Sequence, residues 1–122
     1  MMLNWNEYKQ QIATHVAQIG KISPDLVRGY RALSDAGQKT NKLDPKTREL
    51  IALAVAVTRE CDGCITVHTD AAIQHGATRE EIAEALGVAV AVNAGAALVF
   101  STRVMDAFQT KTESAVPGQA GA

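Results

Sequence analysis

The longest apolar segment of the chain, residues 82–108, constrains the fold more than any other feature. Its apolar side chains lie nearly all round a helix instead of forming one stripe, and such a helix must be covered on every side. A chain of 122 residues forms one small domain, with little interior to hide such a segment. We therefore expect a subunit interface to cover it.

A lipid membrane is the other environment that can cover an apolar helix. A span needs about 20 strongly apolar residues, whereas the window 83–100 contains Glu84, Asn93 and several glycines and alanines. We therefore predict buried protein rather than a membrane span. The segment is also too long for one exposed helix, and we expect a break at residues 93–95, where Asn, Ala and Gly follow one another.

Charge and the N-terminus limit the classes of function. The formal net charge of −1 offers no electrostatic attraction for nucleic acid or an acidic membrane surface. The N-terminal residues lack the basic start and apolar run of a signal peptide. We therefore expect a cytoplasmic protein without nucleic-acid or membrane partners. In that reducing compartment a cysteine pair indicates redox work or metal binding rather than a permanent disulfide.

Start and stop signals mark the first helices. Apolar residues recur at helical spacing from Trp5 to Ile19, and Gly20 is the expected stop. Ser23 before Pro24 is typical of a helix N-terminus, because serine caps and proline is preset for the first turn. Two helices are therefore predicted before the middle of the chain.

The second helix should end near Gly37, before a polar loop at residues 38–42. Asp44 and Pro45 provide the next start signal. We expect this third helix to run to about Glu60.

A fourth helix is predicted from Cys61 to His75, closed by Gly76. Thr78 and Glu81 have the spacing of a capping box, which starts the next helix. No strand alternation stands out, so the predicted fold class is all-α, with about six helices. Residues 1–110 should form a single domain, and residues 111–122, with a proline and two glycines, should be disordered.

Both cysteines and one of the three histidines fall between Cys61 and His68. On a helix, positions 61, 64 and 68 share one face. Cα atoms three residues apart are then about 5 Å from each other, within the range that permits a disulfide. Unpaired N–H groups and the helix dipole in the first turn favour thiolate, and His68 is placed to act as a base for Cys64. Gly63 should ease substrate access by leaving one side of the pair open. This pattern predicts a thiol redox site.

Two other interpretations of the cysteines are open at this point. Buried helical cysteines also pack as small hydrophobic residues. A structural zinc site requires four ligands, of which the pair supplies two, and His75 lies about 10 Å beyond His68 along the helix axis. His15 belongs to the first helix and has no supporting motif. We therefore expect no metal and no cofactor.

Glu49 lies in an early turn of its helix. A glutamate at such a position is usually exposed to solvent and interacts favourably with the helix dipole.

Residues 49–108 resemble the AhpD-like alkylhydroperoxidase core of the carboxymuconolactone decarboxylase superfamily. The matching features, in chain order, are Glu49, Cys61, Cys64, His68 and residues 76–85. The combination of a glutamate, eleven intervening residues, a Cys-x-x-Cys pair and a histidine four residues later is far more specific than the cysteines alone.

The resemblance implies an all-helical fold that assembles into trimers or hexamers. It also implies roles. Cys64 would attack a hydroperoxide, and Cys61 would resolve the sulfenic acid by forming the disulfide. His68 would accept the thiol proton, and Glu49 would polarise His68 directly or through water. A thiol or dithiol reductant would be the second partner.

The expected function is therefore a thiol-dependent peroxidase or a disulfide reductase. Members of the peroxidase branch often carry His or Tyr just before the second cysteine, where this chain has Gly63. The decarboxylase branch works on a lactone and lacks the cysteine pair. A decarboxylase-like enzyme for a small cyclic acid, with Arg48, Arg59 and His68 as its candidate residues, is the first alternative. A non-catalytic, redox-sensing oligomeric module is the second.

Overall fold

The structure, a computed structural model, describes residues 1–114. It contains five helices: α1 (Trp5–Ile22), α2 (Pro24–Thr40), α3 (Pro45–Thr58), α4 (Asp62–Gln74) and α5 (Arg79–Glu113). Residues 1–114 include no strand. The predicted all-α class is confirmed, with five helices in place of about six.

Two of the predicted helix starts are held by side-chain caps. Asp44 Oδ1 accepts the backbone N–H of Thr47 at 2.8 Å, and this bond lowers the pKa of the Asp44 carboxyl. Thr78 Oγ1 accepts the Glu81 N–H at 3.1 Å, while Glu81 Oε1 accepts the Thr78 N–H at 2.9 Å. The predicted capping box is therefore confirmed, and it satisfies two of the N–H groups that a helix end leaves unpaired.

The first two helices end two and three residues beyond the predicted stops at Gly20 and Gly37. Gly37 allows a close contact, because a Cβ atom there would lie 3.0 Å from Arg48 Cδ. Helix α2 ends at Asn41, whose φ of 49° is left-handed and is tolerated by asparagine. Only the end of the predicted 38–42 loop therefore lies outside the helix.

The predicted break at residues 93–95 is wrong, because α5 is one helix of 35 residues. Glycine in a helix interior costs about 1 kcal/mol relative to alanine, which weakens a long helix without ending it. No proline lies within α5 to interrupt its backbone hydrogen bonds. This helix continues through Glu113, into the segment expected to be disordered. Residues 115–122 lie outside the described part of the chain.

Helix α4 packs against α3 on one side and α1 on another, and α1 packs against α2. Two polar contacts tie α1 to α4. Thr66 Oγ1, on a side chain that is almost fully buried, donates to the backbone oxygen of Trp5 at 3.2 Å, and Lys9 Nζ lies 2.6 Å from Asp70 Oδ2. Helix α4, which carries the cysteines, is therefore held by neighbours on two sides.

The chain divides into two compact units. Met1–Ala89 contains α1 to α4 and the first part of α5, and the second unit begins at Val90. Among the described residues, the buried apolar side chains are Leu53, Ala56, Ala72 and Ala89. This core is small for a folded protein.

By length and composition α5 qualifies as a membrane span, because an unbroken helix presents its apolar residues as one continuous stretch. The expectation that protein covers this helix stays a prediction. Only 6% of its most apolar window is buried within the chain. These two criteria do not distinguish lipid from protein as the cover of such a helix.

Candidate thiol redox site

The two cysteines lie at the start of α4. Cys61 is the N-cap residue, and its Sγ accepts the backbone N–H of Cys64 at 3.2 Å. The cysteines form a disulfide, with Cα atoms 5.2 Å apart, which is the spacing expected from the sequence. Helix α4 starts one residue later than predicted because Cys61 has extended backbone angles. Glu60 precedes it with a left-handed φ of 52°, which turns the chain sharply from α3 into α4.

The N-cap position affects the chemistry of Cys61 directly. A sulfur that accepts a backbone N–H at a helix N-terminus is stabilised when it carries negative charge. When the disulfide opens, the backbone N–H of Cys64 is therefore placed to stabilise Cys61 as the leaving thiolate. Cys64 lies one turn before His68 on the same helix, and so has an imidazole as its neighbour.

Gly63 lies against α1. A Cβ atom at Gly63 would lie 2.8 Å from Ile12 Cδ1, which is closer than such atoms approach in proteins. Gly63 therefore allows the Ile12 side chain to pack closely against α4, and a His or Tyr at this position would require that side chain to move. The role of Gly63 in substrate access stays a prediction.

Helix periodicity separates two faces of α4. With about 100° of rotation per residue, Cys64, His68 and His75 cluster within about 40°, and Gly63, Thr66 and Asp70 cluster about 160° away. The second cluster contacts α1, through Ile12, Trp5 and Lys9 respectively. The cysteine and histidine face is therefore turned away from α1.

Glu49 and His68 are brought together from α3 and α4. His68 Nδ1 lies 2.7 Å from Glu49 Oε2, and the side chains are 30% and 21% exposed. An ionised carboxylate is only an acceptor, so His68 Nδ1 carries the hydrogen and its Nε2 is left as the proton acceptor. The pair has the direct contact that the resemblance implied, and water is not needed to bridge it.

A polar cleft of about 560 Å³ opens beside this pair. Its walls come from the end of α2, the start of α3 and the outer face of α4. The polar side chains that line it include Gln38, Asn41, Arg48, Glu49, His68 and His75. The cleft makes the His68–Glu49 pair accessible to a small molecule.

The sequence alone did not predict the cleft residues from α2 or the role of His75 in its wall. His75 shares a helix face with His68, and that spacing was the available signal. Arg48 reaches the cleft, whereas Arg59 is not among its lining residues. His15 lies exposed on α1, with its Nδ1 3.1 Å from Gln18 Oε1. Within residues 1–114, no group of three or more His, Cys, Asp or Glu side chains is arranged to hold a metal ion.

A separate ion pair ties the start of α3 to the start of α5. Lys46 Nζ lies 2.7 Å from Glu81 Oε2. The hydrogen bond from Lys46, together with the Thr78 backbone N–H, lowers the pKa of Glu81 to about 2. The same contact raises the pKa of Lys46. Glu81 thus caps α5 with one oxygen and pairs with α3 through the other.

The sequence profile of the carboxymuconolactone decarboxylase family matches residues 24–107, which include the cysteine pair, Glu49, His68 and the cleft. The chain belongs to this family. Helix α1 lies outside the matched residues, although it forms the support behind α4.

A crystal structure agrees with this assignment. An apo carboxymuconolactone decarboxylase family protein from Legionella pneumophila is 38% identical in sequence and superposes with a TM-score of 0.69, covering 87% of this chain and 95% of the other. An uncharacterized protein from Haemophilus influenzae is 42% identical over 111 residues, 91% of this chain and 98% of its own length. An uncharacterized protein of the cox locus in Paracoccus denitrificans is 40% identical over 76 residues, which are 62% of this chain and 68% of that protein.

Proposed function

We propose that this family member is a thiol-dependent peroxidase of the AhpD-like type, or a disulfide reductase that uses the same cysteine pair. In the first step of the peroxidase cycle the Cys64 thiolate attacks the terminal oxygen of a hydroperoxide. The O–O bond breaks, Cys64 becomes a sulfenic acid, and the alkoxide takes the proton that His68 removed from the thiol. One alcohol is released for each sulfenic acid formed.

In the second step the Cys61 thiolate attacks the sulfur of the sulfenic acid. The S–O bond breaks, the S–S bond forms, and the departing hydroxide is protonated to water. The backbone N–H of Cys64 stabilises the Cys61 thiolate that this step requires. A dithiol reductant then returns the pair to two thiols, so two electrons pass from the reductant to the peroxide in each cycle.

The observation that carries this proposal is the placement of three groups on two adjacent helices. The Cys61–Cys64 disulfide caps the N-terminus of α4, and His68 follows one turn later. Glu49 holds that imidazole at 2.7 Å from α3. A thiol pair, a base and a group that orients the base are the parts that thiol-based peroxide reduction needs.

The test is hydroperoxide consumption with a dithiol reductant, measured for the wild type and for Cys64→Ser, Cys61→Ser and His68→Ala. We expect turnover to be lost in both cysteine variants and to fall by about 100-fold or more without the base. His15→Ala is the matched control, since that histidine is exposed on α1. Unchanged turnover in Cys64→Ser would falsify the proposal.

A decarboxylase-like activity on a small cyclic acid is the second candidate. One observation favours it, because the cleft brings the Arg48 guanidinium to the same wall as His68. It leaves the cysteine pair without a role. Turnover of a γ-lactone acid by a variant that lacks both cysteines would establish this second function over the first. Thiols that resist alkylation in the reduced protein would instead indicate a non-catalytic module.

We also propose that the protein assembles with itself, in the trimers or hexamers typical of AhpD-like relatives, and works in the cytoplasm. The support is the apolar surface of α5. Its large exposed side chains are Val88, Val90, Val92, Leu98, Val99, Phe100, Val104, Met105 and Phe108. Copies of one chain would cover these side chains and supply the apolar burial that a single chain lacks.

A further inference from the structure

We infer that the cleft holds the carboxylate of the substrate, so that the enzyme prefers hydroperoxides of carboxylic acids to uncharged alkyl hydroperoxides. This inference rests on the proposed function, because it names the substrate class of the same site. Two cleft residues carry it, Arg48 and His75. Neither is needed for the thiol chemistry, and each supplies N–H donors to an anion.

The connection between α3 and α4 determines which residues lie at each end of the cleft. A short turn joins the two helices, which pack against each other and so run antiparallel. His75 at the end of α4 therefore lies at the same end as Pro45 at the start of α3. The Glu49–His68 pair lies nearer to the cysteines. The cleft thus has a reactive end at His68 and a polar end at His75.

Arg48 is held in place at the polar end. Its Nη1 donates to the backbone oxygen of Leu43 at 2.5 Å and lies 3.4 Å from Asn41 Oδ1. Gly37 leaves room for its aliphatic stem. Since a guanidinium has five N–H groups, these bonds fix the group while its Nε and Nη2 hydrogens remain available. A cation fixed in advance loses little conformational entropy when it binds a carboxylate.

His75 and Gln38 complete the polar end. Within residues 1–114 the His75 ring has no hydrogen-bond partner, and both side chains line the cleft. The carboxylate of Glu49 is the one acidic group among the cleft residues, and it is engaged by His68. The groups left to meet a ligand at this end are therefore polar and include the N–H donors of Arg48, His75 and Gln38, which suits an anion rather than an alkyl chain.

The distance from the polar end to the reacting sulfur limits the ligand. The peroxide must reach Cys64, which lies one turn before His68 on α4 and outside the residues that line the cleft. Cys64 and His75 are eleven residues apart in the sequence, which corresponds to about 16 Å along the helix axis. An ω-hydroperoxy acid with an extended chain of about twelve carbon atoms would place its peroxide at Cys64 while Arg48 and His75 hold its carboxylate.

The experiment compares an ω-hydroperoxydodecanoic acid with its methyl ester, which lacks the negative charge. We expect the wild type to show a kcat/KM for the acid at least tenfold above that for the ester. His75→Gln and Arg48→Gln should each reduce this ratio several-fold, whereas His15→Gln should leave it unchanged. Arg48 and His75 belong to different parts of the fold, so local misfolding in one variant would not explain a reduced ratio in both. A wild-type ratio near one would overturn the inference.

A second measurement needs no turnover. In the variant Cys61→Ser with Cys64→Ser, octanoate and octanol are titrated while the histidine ring resonances are followed by NMR. We expect octanoate to shift the His75 and His68 signals in a saturable manner, and octanol to shift neither. Carboxylate binding by the variant, together with a wild type that consumes no peroxide, would keep the carboxylate site and reject the proposed peroxidase with its substrate preference. Peroxidase activity without carboxylate binding would reject only the inference.

Discussion

At the scale of single residues, the contact between Glu49 and His68 decides which ring nitrogen can take a proton. Glu49 acts through His68 and is a positioning residue. We expect Glu49→Gln to lower kcat by about tenfold, less than His68→Ala, because an amide holds the imidazole less firmly than a carboxylate does. The ¹⁵N chemical shifts of the His68 ring should change from those of one tautomer to those of a mixture of two. Glu84→Gln, at an exposed position in α5, is the control. An unchanged tautomer with unchanged kcat would show that Glu49 has no such role.

Glu81 gives the stability of the protein a defined dependence on pH. Its pKa is about 2 in the folded chain, against an ordinary value of 4.5. A carboxyl with a lowered pKa stabilises the fold above its unfolded value, and this contribution is lost as the pH falls from about 4.5 towards 2. Glu81→Gln retains an oxygen for the capping box but cannot pair with Lys46 as an ion.

We therefore expect the free energy of unfolding of Glu81→Gln to depend less on pH between about 5 and 2 than that of the wild type. Chemical denaturation at several pH values, at one protein concentration, measures this. Glu80→Gln, in the same helical turn, should retain the wild-type slope. Identical slopes for Glu81→Gln and the wild type would contradict the assigned pKa.

At the scale of helices, α1 and α4 approach closely at Gly63, within the cysteine motif. We expect Gly63→His to destabilise the fold by about 1–3 kcal/mol, because the imidazole must displace the Ile12 side chain. Ile12→Ala should remove that conflict. A double-mutant cycle measured by urea unfolding should therefore show a favourable coupling of about 1 kcal/mol between the two changes. Additive effects would mean that Ile12 does not set the residue at position 63.

The same helices show what the sequence could and could not predict. The starts at Asp44 and Thr78 were predictable, because a cap is a local arrangement of neighbouring residues. The exact helix ends after Gly20 and Gly37 were less predictable, because glycine weakens a helix without ending it. A continuous α5 was missed since glycine and asparagine weaken a helix without ending it.

The candidate site was likewise predictable from the sequence only in part. The disulfide spacing within Cys61–Cys64 follows from helix geometry, and the structure has it. The partnership of Glu49 with His68 required a family resemblance, since the two lie on different helices. The polar end of the cleft could not be predicted from the sequence, because Gln38, Asn41 and Arg48 line one cleft with residues of α4 only in the folded chain. Local chemistry is therefore readable from sequence, and contacts between helices are not.

At the scale of the whole molecule, the exposed apolar surface of α5 is the feature to explain. We expect sedimentation to show an oligomer at micromolar concentration. Leu98→Glu should shift it towards smaller species, with a dissociation constant raised at least tenfold, because each interface would bury an unpaired charge. Gln109→Glu adds the same charge at an exposed polar position of α5 and serves as the control. A monodisperse monomer, or a protein recovered only with lipid, would contradict self-assembly.

Single-turnover stoichiometry tests whether Cys64 reduces the peroxide and Cys61 resolves the resulting sulfenic acid. Reduced protein is mixed with one equivalent of hydroperoxide, and thiols, disulfide and sulfenic acid are quantified by mass spectrometry. We predict that the wild type loses two thiols per peroxide and forms the Cys61–Cys64 disulfide. Cys61→Ser should stop at a sulfenic acid on Cys64, trapped with dimedone. A sulfenic acid on Cys61 in Cys64→Ser at the wild-type rate, or peroxide loss without thiol loss, would contradict the account.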